Sequence, residues 1–378
     1  MGIMTKDQSI EQSHSASAVA TGSAPRQAYV DVFRGLLIAH MALDHASLMF
    51  NAGRGPEELA AGAAPAFGNI FQFLTRFSGV PVAPGFFFMA GFMVALTSVA
   101  REGRGLSHWQ VTQRLLVRGL VLILVDAIVM GLPRALMGFY SFMVLTSIGV
   151  AIVVMALLRD VPNKVLVPLA LGILMLHPLI DVSSWPVMLR AIAYEPVRTG
   201  TFRSLYPVVP WIAILMLGFA VGRDSLSRQR PARFWSVLAL LSVVVFFVVR
   251  LAGGYGNAYS YASVASVDFW TFAKYPPDLP FLSWSFACIF LSLAVLSMLV
   301  REPVPRWLRP FEVFGRVPFF FYVVHFYVLG ISAAVLRTKV GLMQTYVIWL
   351  ALLAVMIWPC AWYYRMKRDR PNFITRYI

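Results

Sequence analysis

The stretch "DVFRGLLIAHMALDH", residues 31–45, decides how the rest of the chain is read. It lies in an apolar run over residues 30–50, about the length a helix needs to cross the hydrocarbon core of a bilayer. Yet it carries Asp31, Arg34, His40, Asp44 and His45 where a plain anchor would carry leucines. A charge at the bilayer centre costs at least about 2.5–3.5 kcal/mol, so such side chains face a bundle interior or a cavity. The stretch therefore predicts one helix of a larger membrane domain.

The remainder of the sequence agrees. Of 378 residues, 59% are apolar and only 13% are charged, against about 25% charged in soluble domains. Ten apolar runs are long enough to span: 30–50, 83–100, 114–131, 141–158, 165–181, 205–222, 233–251, 281–300, 316–336 and 343–364. The amphipathic stretch 67–79 adds a re-entrant or interfacial helix, an eleventh element. The expected fold is an all-α polytopic bundle over residues 29–364, between a disordered tail (1–28) and a basic tail (365–378), both cytoplasmic.

The formal charge of +15 does not point to nucleic acid, because the basic residues sit mainly in short loops between apolar runs. Nineteen Lys and Arg fall on the side of the termini and nine on the other. That bias puts both termini in the cytoplasm and fits a bacterial inner membrane. Cys288 and Cys360 lie in apolar runs and support neither a disulfide framework nor a metal site. Two long outer loops remain, 51–82 and 251–280; the second, rich in Tyr, Gly and Ser, reads as the rim of a sugar site or as an interfacial aromatic belt.

Helical geometry gives the charged stretch a direction. Arg34 and His45 are eleven residues apart, which brings them within roughly 20° of one helix face and separates them by about 16 Å along the axis. Asp31 lies near enough to pair with Arg34. An arginine at the cytoplasmic mouth and a histidine deeper in match a donor with a phosphate-bearing end and a long thin arm, as in acetyl-CoA or another acyl-CoA. A histidine accepts a proton from an alcohol or amine near neutral pH. Arg114, Arg118 and Arg316 open their runs at the same end and either join Arg34 around phosphates or anchor the bundle by the positive-inside rule. Asp44 or Asp126 is placed to orient His45, and Tyr322 and His325 to line the same tunnel. A proton-coupled transporter or flippase using Asp31, Asp44, Asp126 and His45 is the alternative.

Arg34 and His45 with ten residues between them resemble the Arg-x10-His signature of the acyltransferase 3 family. More of the chain is similar to bacterial relatives of heparan-α-glucosaminide N-acetyltransferase. The pieces are "DVFRGLLIAHMALDH", "FLTRFSGVPVAPGFFFMAG", "RLLVRGLVL", "SLYPVVPWIAILMLGFAVGR", "KYPPDLPFL" and "FGRVPFFFYVVHFYV". The resemblance implies a multi-pass enzyme moving an acyl group, usually acetyl, from cytoplasmic acyl-CoA to a sugar hydroxyl or amine of an envelope glycan, without a metal. It gives His45 the catalytic role and Arg34 a donor-binding or structural one. One departure matters: the lysosomal branch uses a histidine in the loop before the second span, and none lies between His45 and His108 here.

Overall fold

The computed structural model describes residues 27–225 and 231–370. The expected amino-terminal tail lies outside the described residues up to residue 26, and the basic tail from residue 371. All ten apolar runs are largely helical, as a bilayer demands of backbone groups that have no water to bond. Among the described residues seven helices are long and apolar enough to cross a membrane, Ile70–Glu102 being taken as one; Val144–Leu158 and Asn163–Leu179 are shorter.

Helix α1, Ala28–Phe50, holds the charged stretch. The amphipathic stretch forms α2, Ile70–Ser78, capped by the Asn69 side chain, which accepts from the Phe71 and Gln72 N–H groups. A three-residue turn joins it to α3, Val82–Glu102. Helix α4, His108–Leu124, opens with a Ser107–Gln110 capping box and passes through a π-helical segment, Val125–Met130, into α5, Gly131–Leu136. Then come α6, Val144–Leu158, α7, Asn163–Leu176, α8, Val187–Ala193, α9, Val208–Ser225, α10, Pro231–Ala252, and α11, Leu279–Leu299. Helix α12, Arg309–Arg316, stops at Val317, and α13, Pro318–Leu336, starts on a proline whose missing N–H costs nothing in a first turn. Helix α14, Leu342–Asp369, closes the described chain.

The helical bundle carries one small sheet: β1, Tyr140–Phe142, pairs in parallel with β3, Phe202–Ser204, which pairs antiparallel with β2, Val197–Arg198. The strand takes the first residues of the 141–158 run, so that run gives a fifteen-residue helix. Part of the loop 251–280, read as a sugar-site rim or an interfacial aromatic belt, packs its backbone around Arg250. That fully buried guanidinium donates to the carbonyls of Phe269, Tyr259 and Asp268 and to Asn257 Oδ1. A buried arginine has five donors to satisfy, and the loop's backbone satisfies them.

Without a hydrophobic drive between helices in lipid, small residues decide which backbones approach closely. Three helix crossings are set by reciprocal glycines. A Cβ on Gly35 of α1 would sit 1.7 Å from the Phe311 carbonyl oxygen of α12, and one on Gly315 would sit 1.8 Å from that of Asp31. A Cβ on Gly91 of α3 or on Gly218 of α9 would likewise sit 1.9 or 2.0 Å from the Leu215 or Phe88 carbonyl oxygen. Gly119 of α4 and Gly149 of α6 each face the other's carbonyl oxygen. Such distances leave no room for any side chain. Gly91→Leu and Gly315→Leu are therefore expected to abolish a monodisperse peak in size-exclusion chromatography. Gly172→Ala, with open space around it, should keep the peak and raise helix stability by up to ~1 kcal/mol.

Candidate active site

The centre of the molecule is a pair of histidines 280 residues apart in sequence. His45 Nδ1 lies 2.8 Å from His325 Nε2, and the two rings are within 4° of parallel. His325 is fully buried, and its Nδ1 lies 2.8 Å from the Phe321 carbonyl oxygen. A carbonyl only accepts, so His325 Nδ1 carries the hydrogen, and with both rings neutral this settles the remaining protons. His325 Nε2 accepts from His45 Nδ1–H, which leaves His45 Nε2 with a lone pair. Tyr322 and Phe326 meet the His45 ring edge-on, and Nε2 has no protein hydrogen-bond partner among the described residues.

Two cavities meet at this imidazole. A narrow one of about 160 Å³ runs from Arg34 and Arg118 past Met41, Met89 and Ile148 to His45. A wider one of about 820 Å³ starts at His45 and opens at the other end of α1, beside Arg134, Arg198 and Arg203. Asp44, His45, Val144, Tyr206 and Tyr322 line both. The narrow cavity thus runs along the stripe of α1 that carries Arg34 at one end and His45 at the other.

A compact ionic cluster roofs the junction. Asp44 Oδ1 accepts from Arg54 Nη1 and Arg76 Nη1, both at 2.8 Å. Arg54 also reaches Glu57, while Arg76 holds Glu57 and forks onto Glu58. Arg76 comes from α2, so the amphipathic helix carries one arm of this cluster. Burial works against ionisation of Glu57, but the guanidiniums of Arg76 and Arg54 outweigh it and hold the carboxyl at about 2.

The sequence-predicted residues divide cleanly. His45, Tyr322 and His325 are brought together, and Arg34 and Arg118 line the narrow cavity. Asp31 lies 3.4 Å from Arg34. Asp44 does not hydrogen-bond His45, because two arginines hold it. Asp126, in the π-helical segment, does not reach the imidazole either: its carboxylate accepts from the Thr146 backbone N–H and hydroxyl and pairs with Arg134. The partner that orients His45 is His325. Arg114 and Arg316 do not line the narrow cavity; Arg316 pairs with Glu312 and lies over the Tyr364 ring. His40 Nε2 meets Ser78 Oγ at 2.9 Å and lines neither cavity.

Sequence reasoning missed Tyr206, Tyr275 and Lys274. The Tyr206 and Tyr275 hydroxyls are 3.0 Å apart, Tyr206 and Tyr275 line the wide cavity, and Lys274 lines the narrow one. Their signal lay in "SLYP" and "KYPPDLPFL", stretches noted for their resemblance but given no chemistry.

The pattern that defines the heparan-alpha-glucosaminide N-acetyltransferase catalytic domain matches residues 26–253. The chain belongs to this family. It is therefore a multi-pass membrane acetyltransferase. No curated protein matches the chain. The matched segment carries Arg34, His45 and Arg118 but ends before His325, so the histidine pair is a finding of the fold alone.

Glu57 yields a test of the roof. Its folded pKa lies below the usual 4.5, so it is the charged form that folding favours. The contribution is complete above about pH 4.5 and lost as pH falls towards 2, and is worth at most ~3 kcal/mol. Glu57→Gln is expected to lower the melting temperature by a constant amount from pH 8 to 5.5, with the gap to wild type closing below that. A pH-independent gap would show that packing, not charge, sets the effect.

Proposed function

We propose that the protein transfers an acetyl group from acetyl-CoA to a hydroxyl or amine, with His45 as general base. The observation that carries this reading is the place of His45 Nε2, a lone pair with no hydrogen-bond partner among the described residues, where a thin basic-ended cavity meets a wide one. Acetyl-CoA enters at the Arg34 and Arg118 end, on the cytoplasmic side by the distribution of Lys and Arg. Its phosphates meet those guanidiniums and its pantetheine arm lies in the narrow cavity. The axial rise from Arg34 to His45, about 16 Å, suits an extended arm. The acceptor occupies the wide cavity on the far side.

In the reaction, the acceptor oxygen or nitrogen attacks the thioester carbonyl carbon while His45 Nε2 takes its proton. The hydroxyls of Tyr206 and Tyr322 are the donors available to the resulting oxyanion. As the C–S bond breaks, the CoA sulfur takes the proton back from Nε2–H. His325 keeps His45 in the tautomer whose Nε2 can act, the part a carboxylate plays in hydrolase triads. It is a positioning residue and touches neither substrate. A transporter reading gains no support: Asp31, Asp44 and Asp126, which a proton relay would use, are each held by arginines.

Thiol release from acetyl-CoA by purified protein, with and without a pool of amino sugars and envelope glycans, tests the proposal. His45→Ala is expected to lower acceptor-stimulated release by about 10²–10⁴-fold. His325→Ala should reduce kcat with little change in the KM for acetyl-CoA. His325→Gln should recover part of it, since an amide oxygen can accept from Nδ1–H. Wild-type release from His45→Ala would end the mechanism.

The donor path has its own check. Loss of one charge-assisted contact to phosphate is worth about 1.5–3 kcal/mol, so Arg118→Ala should raise the KM for acetyl-CoA at least tenfold at unchanged kcat. Arg114→Ala, one turn away but outside the cavity, should leave it unaltered. Equal effects from the two would mean a diffuse surface potential rather than a bound phosphate.

A further inference from the structure

The walls of the wide cavity are of two kinds, and both bear on what fills it. One wall is basic. Arg198 of β2 and Arg203 of β3 are direct cross-strand partners, and both line the cavity. Like charges set opposite one another weaken a sheet, and no carboxylate among the described residues pairs with either. The Arg203 guanidinium lies over the Phe139 ring, 4.0 Å from its centroid. Arg134 adds a third guanidinium, steered into the wall by Asp126 and Ser141. The cavity's two carboxylates, Asp44 and Glu57, are already held by Arg54 and Arg76.

The other wall is apolar. It is built from the last turns of α13, including Ile331 and Ala334, and from Met137 just past α5. This wall does not end at the cavity mouth. Met137 is 72% and Ile331 62% exposed, and Val335 beside them is 74% exposed. In a membrane bundle such side chains face lipid, so the cavity has an apolar flank continuous with the bilayer-facing surface.

We propose that the acceptor is an amphiphile, a sugar or alcohol joined through a phosphate to a hydrocarbon chain. The phosphate sits on Arg198 and Arg203, and the chain leaves along α13 into the bilayer. The reacting hydroxyl or amine then reaches His45 from the phosphate end. A free polysaccharide would leave the apolar flank unused, and a neutral glycolipid would leave two opposed guanidiniums uncompensated. This inference rests on the reading of the wide cavity as the acceptor site.

The test uses full-length protein in dodecyl maltoside micelles without acetyl-CoA. Dodecyl phosphate or inorganic phosphate is titrated, and the melting temperature is tracked by tryptophan fluorescence. The maltoside supplies a neutral amphiphile in excess, so a response reports the phosphate. Dodecyl phosphate is expected to raise the melting temperature of wild type, and its half-effective concentration to rise at least tenfold in R198Q/R203Q. The charge-keeping R198K/R203K variant should respond nearly as wild type. A334W, which fills the apolar wall, should weaken the dodecyl phosphate response alone. An unchanged response in R198Q/R203Q, or none in wild type, overturns the proposal. Inorganic phosphate acting at the same concentration as dodecyl phosphate overturns the hydrocarbon part and leaves a soluble phosphorylated acceptor. Since no acetyl-CoA is present, failure here says nothing against acetyl transfer, and failure of thiol release would leave this binding result standing.

Discussion

The contact between Gly35 and Gly315 sets the frame in which the two histidines meet. It presses the backbone of α1 against that of α12 with no side chain between them, and α12 ends at the next residue, just before the break at Val317 and Pro318. The direction in which α13 leaves is therefore referred to α1 from its Arg34 end onwards. That shared, tightly fixed point, together with the direct packing of α13 on α1, sets His325 at hydrogen-bonding distance from His45. In lipid, where apolar side chains gain little by leaving one apolar surface for another, such close backbone approach is among the few forces that fix a register.

The charged residues of α1 then fall into two kinds. Asp31 and Asp44 are neutralised where they stand, by Arg34 at one end and by Arg54 and Arg76 at the other. His45 is instead held by a neutral partner and keeps one nitrogen for other use. This division reflects the energetics of the bilayer. An unpaired charge at this depth is costly, whereas a neutral imidazole with one donated bond is tolerated and remains chemically available. Helix α1 thus places a basic end, one wall of a thin passage and an imidazole in one rigid element, with the geometry set by helical rise rather than by loops.

Much of this was legible in residues 31–45. The face shared by Arg34 and His45 and the depth between them come from helical periodicity, while Arg118 joins the basic end by its place at the start of its own apolar run, and the narrow cavity is lined by all three. The family's scattered pieces were legible too. What could not be read was contact between elements distant in the chain. Asp44 adjoins His45 directly, and proximity in sequence suggested an orienting carboxylate. Yet α2 and the loop before it bring Arg54 and Arg76 to Asp44, and α13 brings His325. Arg316 and Arg114 fit the charge pattern of a mouth, but Glu312 and Tyr364 claim the first, and the second does not line the cavity. The small sheet was hidden because three-residue strands carry no period, and with it went the opposition of Arg198 and Arg203.

A histidine rather than a carboxylate behind His45 has a mechanistic consequence. A carboxylate would hold a protonated His45 firmly, favouring the intermediate in which the ring keeps the acceptor's proton. A neutral imidazole fixes the tautomer but stabilises that charged ring less. In the reaction proposed above, the proton is then passed on readily to the departing thiolate, a better leaving group than the amine or alkoxide that triads must protonate. The demand on the base in the proposed reaction is accordingly smaller. The same lone pair could attack the thioester itself and carry the acetyl group, since nothing in the dyad distinguishes proton acceptance from nucleophilic attack. What favours direct transfer is the junction. The two cavities meet at one imidazole, so donor carbonyl and acceptor can lie on either side of Nε2 together, and a covalent relay would gain no distance.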